Sequence, residues 1–126
     1  CTMPVKCYQD LVVWQKAMRL AREAYLIAKK LPYEEKFALS DQLRRSAVSI
    51  PSNIAEGHAR GSDKEFVHFL YIARGSNAEL MTQLILCVDF GYLTDVDVRR
   101  VKLQSNEVGR LLNALIAKLR KKQLSI

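Results

Sequence analysis

The sequence contains few of the residues that shape tight turns, strands and disulfide frameworks. Its 126 residues include five glycines, three prolines, three cysteines and two histidines. An odd number of cysteines without a Cys-x-x-Cys pair argues against a disulfide framework, and two histidines cannot by themselves build a zinc site. The simplest interpretation is a reduced, cytoplasmic protein with Cys87 as a small core residue.

Long apolar runs are also missing, since none approaches the ~18 residues that a membrane span requires. The N-terminus shows no apolar segment of the kind found in a signal peptide, so we expect no association with a membrane. The composition, with 49% hydrophobic and 26% charged residues, is that of a folded globular chain. The length fits a single domain and leaves no room for separate cofactor and substrate domains.

Apolar residues recur at helical spacing through most of the chain. The pattern predicts an all-α, antiparallel up-and-down four-helix bundle over residues 10–122, between a loose arm (1–9) and a short tail (123–126). The four helices are predicted at about 10–31, 35 or 40 to 56, 62–90 and 94–122. Asp10 is the predicted N-cap of the first helix, and Ser62 with Glu65 forms a capping box for the third.

Several positions modify these helices. Pro51 predicts a bend in the second helix, and Gly57 is assigned to the loop that follows it. Gly75 lies in the middle of the third helix and costs stability unless another helix packs closely there. Asn77 interrupts an apolar seam, as polar residues that set register or oligomer state do.

The first helix carries two apolar seams, which together make the wide apolar face expected of a bundle helix. One seam comprises Val13, Ala17, Leu20, Ala24, Ile27 and Leu31. The other comprises Leu11, Trp14, Met18, Ala21, Tyr25 and Ala28.

The formal charge of +7 is not spread evenly. Residues 11–31 hold five basic and one acidic side chain, residues 94–122 hold eight and three, and residues 32–93 hold six and eight. Because the first and last helices are neighbours in such a bundle, we expect their outer faces to merge into one basic surface that contacts phosphates. The predicted contact residues are Lys16, Arg19, Arg22, Lys29, Lys30, Arg99, Lys102, Arg110, Lys118, Arg120 and Lys121.

Two other interpretations of this charge remain open. A basic face can simply keep a protein soluble, or it can dock an acidic partner protein. No aromatic residue lies in residues 94–122, so base stacking by that helix is not expected and any nucleic-acid binding should tolerate sequence changes.

Catalytic and metal-binding patterns are weak. Glu65 and His68 have the Glu-x-x-His spacing of di-iron bundles, but there is one copy and Glu65 belongs to the capping box. We therefore predict no catalytic residue, no metal and no cofactor. Arg45, Glu56 and Glu79 are predicted to form a partly buried network between the second and third helices, with plain surface exposure as the alternative and catalysis as the weaker one.

Three segments carry a family resemblance. Residues 42–57 read Gln-Leu-Arg-Arg-Ser-Ala-Val-Ser-Ile-Pro-Ser-Asn-Ile-Ala-Glu-Gly, and residues 72–80 read Ile-Ala-Arg-Gly-Ser-Asn-Ala-Glu-Leu. Together with Tyr-Gln-Asp-Leu-Val-Val-Trp-Gln-Lys-Ala at 8–17, they resemble the bacterial four-helix-bundle family named for proteins encoded in 23S rRNA intervening sequences. The accessory variability proteins of diversity-generating retroelements belong to the same family. The resemblance covers about residues 8–120.

The resemblance implies an up-and-down bundle that assembles as a homopentamer. It also implies nucleic-acid binding and a reverse transcriptase partner for the retroelement members, and it transfers no catalytic site. The motif positions, which we interpret as fold and assembly residues alongside Asn77, are Arg45, Pro51, Asn53, Glu56, Gly57, Gly75, Ser76 and Glu79.

From the residues and the resemblance together we expect a non-enzymatic, self-associating protein that binds RNA or DNA. The alternative is a scaffold that docks an acidic protein without a nucleic-acid role.

Overall fold

Four helices make up the molecule, which we describe from a computed structural model covering residues 7–124. They are α1 (Val12–Ala28), α2 (Leu39–Ala59), α3 (Asp63–Asp89) and α4 (Asp95–Leu124), with 3₁₀ turns at Tyr8–Asp10 and Tyr33–Glu35. These described residues contain no strand, and the predicted all-α four-helix fold is confirmed.

The helices enclose one apolar core. α1 and α3 each contact α2 and α4, and the first seam of α1 is buried along its whole length. Hydrogen bonds and ion pairs between α3 and α4, and between α1 and α4, join residues whose numbers rise on one helix as they fall on the other. This pattern favours the up-and-down arrangement, and the bend at Pro51 stays a prediction.

The second seam of α1 behaves differently from the first. Trp14, Met18 and Ala21 are only half-buried, and Tyr25 is exposed. Within this seam Ala28 is buried, and Leu11, Trp14 and Ala21 pack against the edge of the core. An apolar strip is left open between α1 and α2.

The start of α1 also differs from the prediction. Leu11 is the N-cap and makes no side-chain capping bond, while Asp10 lies in the preceding 3₁₀ turn. Tyr8 packs edge-on against Trp14, with ring centroids 5.5 Å apart. Residues 7–9 are thus part of the fold and not of a loose arm, whereas residues 1–6 lie outside the described part.

Side chains cap the beginnings of α3 and α4. The Glu65 amide donates to Ser62 Oγ at 3.2 Å, so Ser62 is the N-cap of α3, as the predicted capping box requires. At α4, the Thr94 amide donates to Asp97 Oδ2 at 2.9 Å and the Asp97 amide donates to Thr94 Oγ1 at 3.1 Å. Hydrogen bonds from Thr94 and the nearby Lys30 ammonium lower the pKa of the Asp97 carboxyl.

Gly57 was expected in a loop, but α2 continues to Ala59 and Gly57 is buried inside it. A Cβ added at Gly57 would stand 2.6 Å from the Cβ of Phe69 on α3. The glycine therefore allows the backbones of α2 and α3 to approach each other closely. The positive φ angle needed for the turn is supplied instead by Gly61, at φ +86°.

Asn77 fixes the register of α3 against α4. Its Nδ2 donates to the Ser105 carbonyl at 3.0 Å, and Ser105 Oγ donates to Asn77 Oδ1 at 2.8 Å. A Cβ at Gly109 would meet Asn77 Nδ2 at 3.3 Å, so that glycine leaves room for the amide. Both partners are buried, so a slip of one helix would leave polar groups unpaired.

The cysteines only partly follow the prediction. Cys87 is a free, fully buried core residue, as predicted. Cys7 is disulfide-bonded, so the expectation of reduced cysteines does not hold for it. None of the helices in the described part of the chain combines the length and the apolar content needed to cross a membrane.

Candidate nucleic-acid interface

Ion pairs occupy the seam where α1 meets α4. Lys16 Nζ lies 3.1 Å from Glu107 Oε1, Arg100 lies 3.5 Å from Glu23, and Lys30 lies 3.6 Å from Asp97. The two helices are neighbours, as expected, but their facing edges do not merge into one basic surface. Three cations of the seam each have an acid one helix away, a pairing that the net charge of a helix does not reveal, and the merging of the outer faces stays a prediction.

Five other cations of α4 lie on its α3 side and on its outer surface. Arg120 and Asn113 bond to Tyr71 and Arg74 of α3, and Lys102 shares their side of α4 by helical spacing. Arg99, Arg110 and Lys121 lie beside them on the outer surface. We call the residues Arg99, Lys102, Arg110, Arg120 and Lys121 the α4 cation row. None of them pairs with an acid among residues 7–124.

The other predicted contact residues are scattered. Lys118 has the helical spacing of Arg100 and Glu107 and so belongs to the α1 edge of α4. Arg19 and Lys29 are exposed on α1 and at its C-cap. Arg22 lines the apolar strip between α1 and α2. The structure therefore separates these four from the α4 cation row.

Sequence reasoning missed a small cluster on α3 that extends the row. Arg74 lies over the ring of Tyr71, 4.7 Å from its centroid, and donates to Asn113 Oδ1 at 3.2 Å. Arg120 donates to the Tyr71 hydroxyl at 2.9 Å. The i, i+3 spacing of Tyr71 and Arg74 was a signal, but their partners lie 39 and 49 residues away.

The predicted network of Arg45, Glu56 and Glu79 is not formed. Arg45 pairs with Asp41 at 2.9 Å, and Glu56 pairs with Arg60 at 3.4 Å, both within α2. Glu79 is exposed on α3. Arg45 and Glu56 pair within α2 because residues four positions apart on a helix are neighbours, so these pairs do not depend on a second helix.

Uncharged groups link α2 to α3 in place of that network. Ser46 Oγ donates to Gln83 Oε1 at 2.7 Å, and Ser49 and Ser76 share a hydrogen bond of 2.8 Å. Asn53 Nδ2 donates to the Ser49 carbonyl at 2.8 Å. These bonds line a polar cleft of about 440 Å³. They give the motif residues Asn53 and Ser76 a structural role within the chain.

A second surface lies between α1 and α2. The open half of the second α1 seam forms an apolar groove of about 740 Å³ with Val48, Pro51 and Ala55 of α2. Leu26 and Val48 are exposed at its edges. Contiguous apolar surface of this kind commonly marks an interaction site.

Acidic and histidine side chains do not converge elsewhere. Within residues 7–124 no group of three His, Cys, Asp or Glu side chains could hold a metal ion. Glu65 is engaged at the start of α3, and His68 packs edge-on against Phe69 with ring centroids 5.3 Å apart.

Comparison with known proteins gives the family. The model of the 23S rRNA-intervening sequence protein family matches residues 9–114. A similar solved structure is the 1.70 Å crystal structure of a protein with unknown function from the S23 ribosomal protein family of Bacteroides thetaiotaomicron VPI-5482. It is 31% identical, with a TM-score of 0.77, over 83% of this chain and 98% of that chain. The comparison with curated proteins finds no match. The chain therefore belongs to the 23S rRNA-intervening sequence protein family.

Proposed function

We propose that this protein is a non-enzymatic, self-associating bundle that binds RNA or DNA through phosphate groups, without strong sequence preference. The observation that carries the proposal is the α4 cation row, which has no acidic partner within residues 7–124. The α1–α4 seam, in contrast, is neutralised by ion pairs. The family name suggests a role related to rRNA.

The chemistry of the row suits a polynucleotide backbone. Cations spaced along a helix can neutralise successive phosphates and release their counterions, which makes binding depend steeply on salt. Asn106 and Asn113 stand on the same side of α4 and add amide groups that can bond to phosphate or sugar. Phosphate contacts position a protein without reading bases, so the proposed binding tolerates sequence changes.

Self-association is the second part of the proposal. The apolar groove between α1 and α2 is the surface that a second copy would cover. The resemblance makes a homopentamer the expected state, and it makes a reverse transcriptase the candidate protein partner. An rRNA-related role would place the protein in the cytoplasm.

Binding is tested with a fluorescein-labelled RNA 20-mer, by fluorescence anisotropy between 50 and 200 mM salt. We expect the affinity to fall steeply over this range, because each phosphate contact to a single strand contributes about −0.7 to the logarithmic slope. The variant R99Q/K102Q/R110Q should bind at least tenfold more weakly than the wild type. A salt-independent affinity would contradict the proposal.

The matched control is K16Q/K30Q/R100Q. It removes the same three charges but takes them from the ion-paired seam. We expect it to keep most of the RNA affinity, and equal losses in both variants would mean that net charge alone attracts RNA.

A pull-down with and without nuclease addresses the alternative, since partners retained after nuclease treatment indicate an acidic protein on this face.

A further inference from the structure

We propose that Arg74 and Arg120, held on Tyr71 in the groove between α3 and α4, form a pre-ordered subsite for one backbone phosphate of a nucleic acid. This inference rests on the proposed function and specifies where the protein binds a phosphate most strongly. Arg120 is among the phosphate contacts predicted from the sequence, but no sequence pattern assigns a ligand to Arg74 or Tyr71 or a shared site to the three residues.

The first argument is geometric, because both guanidinium groups contact the same phenol ring. Arg74 covers its face, with 4.7 Å from the guanidinium carbon to the ring centroid. Arg120 reaches the hydroxyl with a hydrogen bond of 2.9 Å. Two cations from two different helices therefore contact one side chain, although like charges repel.

The second argument concerns the acceptors that the two arginines use. Arg74 donates to the amide oxygen of Asn113 and Arg120 donates to the hydroxyl of Tyr71, and both acceptors are neutral. Neither arginine forms an ion pair within residues 7–124. Both positive charges thus remain uncompensated, which favours an anion placed between them.

The third argument is the number of free donors. A guanidinium carries five N–H groups in a rigid, planar fork that matches the oxygens of a phosphate. Each arginine uses one group on its neutral partner, which leaves most of the fork available. Because Tyr71 and Asn113 already restrict the two side chains, less conformational entropy remains to be lost when a ligand binds.

The fourth argument identifies the source of the phosphate. The subsite continues into the α4 cation row, since helical spacing puts Lys102 on the same side of α4 as Arg120, and Arg110 is exposed on the same helix between them. A free phosphate ion would engage only the subsite, whereas a polynucleotide can occupy the subsite and the row together. The arrangement therefore favours a nucleic-acid backbone over an isolated anion.

The test compares three variants of the full chain by RNA anisotropy, after circular dichroism has shown that each is folded. R74Q/R120Q should lose at least tenfold in affinity. Tyr71→Phe keeps every charge and removes only the hydroxyl that holds Arg120, and it should lose about three- to fivefold. The control R45Q/R60Q removes two charges from α2 and should lose less than twofold.

A second measurement separates this inference from the proposed function. Inorganic pyrophosphate is titrated into ¹⁵N-labelled protein while the arginine Nε–H signals are followed by NMR. We expect the signals of Arg74 and Arg120 to shift before those of Arg45 and Arg60.

The outcomes can be told apart. If the wild type binds RNA but R74Q/R120Q behaves like R45Q/R60Q, the subsite is overturned and the function stands. If the wild type binds neither the RNA 20-mer nor a DNA 20-mer, the function fails and the assignment to a nucleic acid fails with it, even when pyrophosphate shifts both signals. If pyrophosphate shifts neither signal, the built anion site is refuted independently of RNA.

Discussion

Burial sets the chemistry of Cys87, whose side chain is fully enclosed between the helices. Removal from water, together with the negative charge of nearby Glu35, raises the pKa of this thiol to about 11. The thiolate is the reactive form of cysteine, so Cys87 should be inert at neutral pH. Its position in an apolar seam was enough to predict the burial, but the influence of Glu35 depends on the folded loop between α1 and α2.

We predict that Cys87 is not alkylated by N-ethylmaleimide in the native protein at pH 7.5 and is alkylated completely in 6 M guanidinium chloride. The reagent cannot reach the buried thiol, and the protonated thiol is not the reactive form. Mass spectrometry of the peptide that contains Cys87 measures the modified fraction. Equal rates of labelling in the native and unfolded protein would show that the side chain is not enclosed.

At the scale of the element, helix positions follow from apolar spacing and caps, whereas helix orientation does not. Ser62 and Glu65 mark the start of α3 correctly because a capping box is local. Gly57 was misplaced because glycine is typical of loops, and its true reason is Phe69 on the next helix. The ion pairs of the α1–α4 seam escaped prediction for the same reason, since each joins residues about 70 to 90 positions apart.

Two helical glycines should respond oppositely to alanine. We expect Gly57→Ala to destabilise the protein by about 1–3 kcal/mol, because the new methyl group would overlap the Cβ of Phe69, which is fixed to the backbone. We expect Gly75→Ala to stabilise it by about 0.5–1 kcal/mol, because nothing lies within 4 Å of a Cβ there and alanine has the higher helix propensity.

Urea unfolding followed by circular dichroism, at one protein concentration for all variants, gives both free energies. Each glycine serves as the control for the other, since both substitutions change helix propensity equally. A neutral Gly57→Ala would mean that α2 and α3 are farther apart than described. A destabilising Gly75→Ala would indicate that another surface packs against this position.

At the scale of the whole molecule, α1 and α2 leave an apolar groove open while α3 and α4 carry the α4 cation row and the Arg74–Tyr71–Arg120 cluster. The two surfaces use different helices, so one can be covered by a second copy while the other stays accessible. The residues of both surfaces could be identified from the sequence, as the second α1 seam and the basic last helix. The sequence could not reveal their separation, because that depends on how each helix is rotated about its axis in the bundle.

We predict that L26E/V48E abolishes self-association, because both side chains are exposed at the edges of the apolar groove and a buried carboxylate is costly. Size-exclusion chromatography with light scattering should give five copies for the wild type and one for the variant. The control V96E/L103E adds two charges at exposed apolar positions of α4 outside the groove and should leave the assembly intact. A wild type that stays monomeric at micromolar concentration, or two variants that behave alike, would refute the groove as the interface.

The α1–α4 seam carries ion pairs, whereas the arginines in the α3–α4 groove have no acidic partner in the described part of the chain. This difference acts before the protein touches a nucleic acid. The α4 cation row and Arg74, none of which pairs with an acid in the described part of the chain, concentrate positive potential on one side of α4. In the field of a polyanion such a body experiences a torque, so it rotates towards its docking orientation while it is still diffusing. Productive collisions become a larger share of all collisions, and this advantage shrinks as the Debye length shortens with added salt.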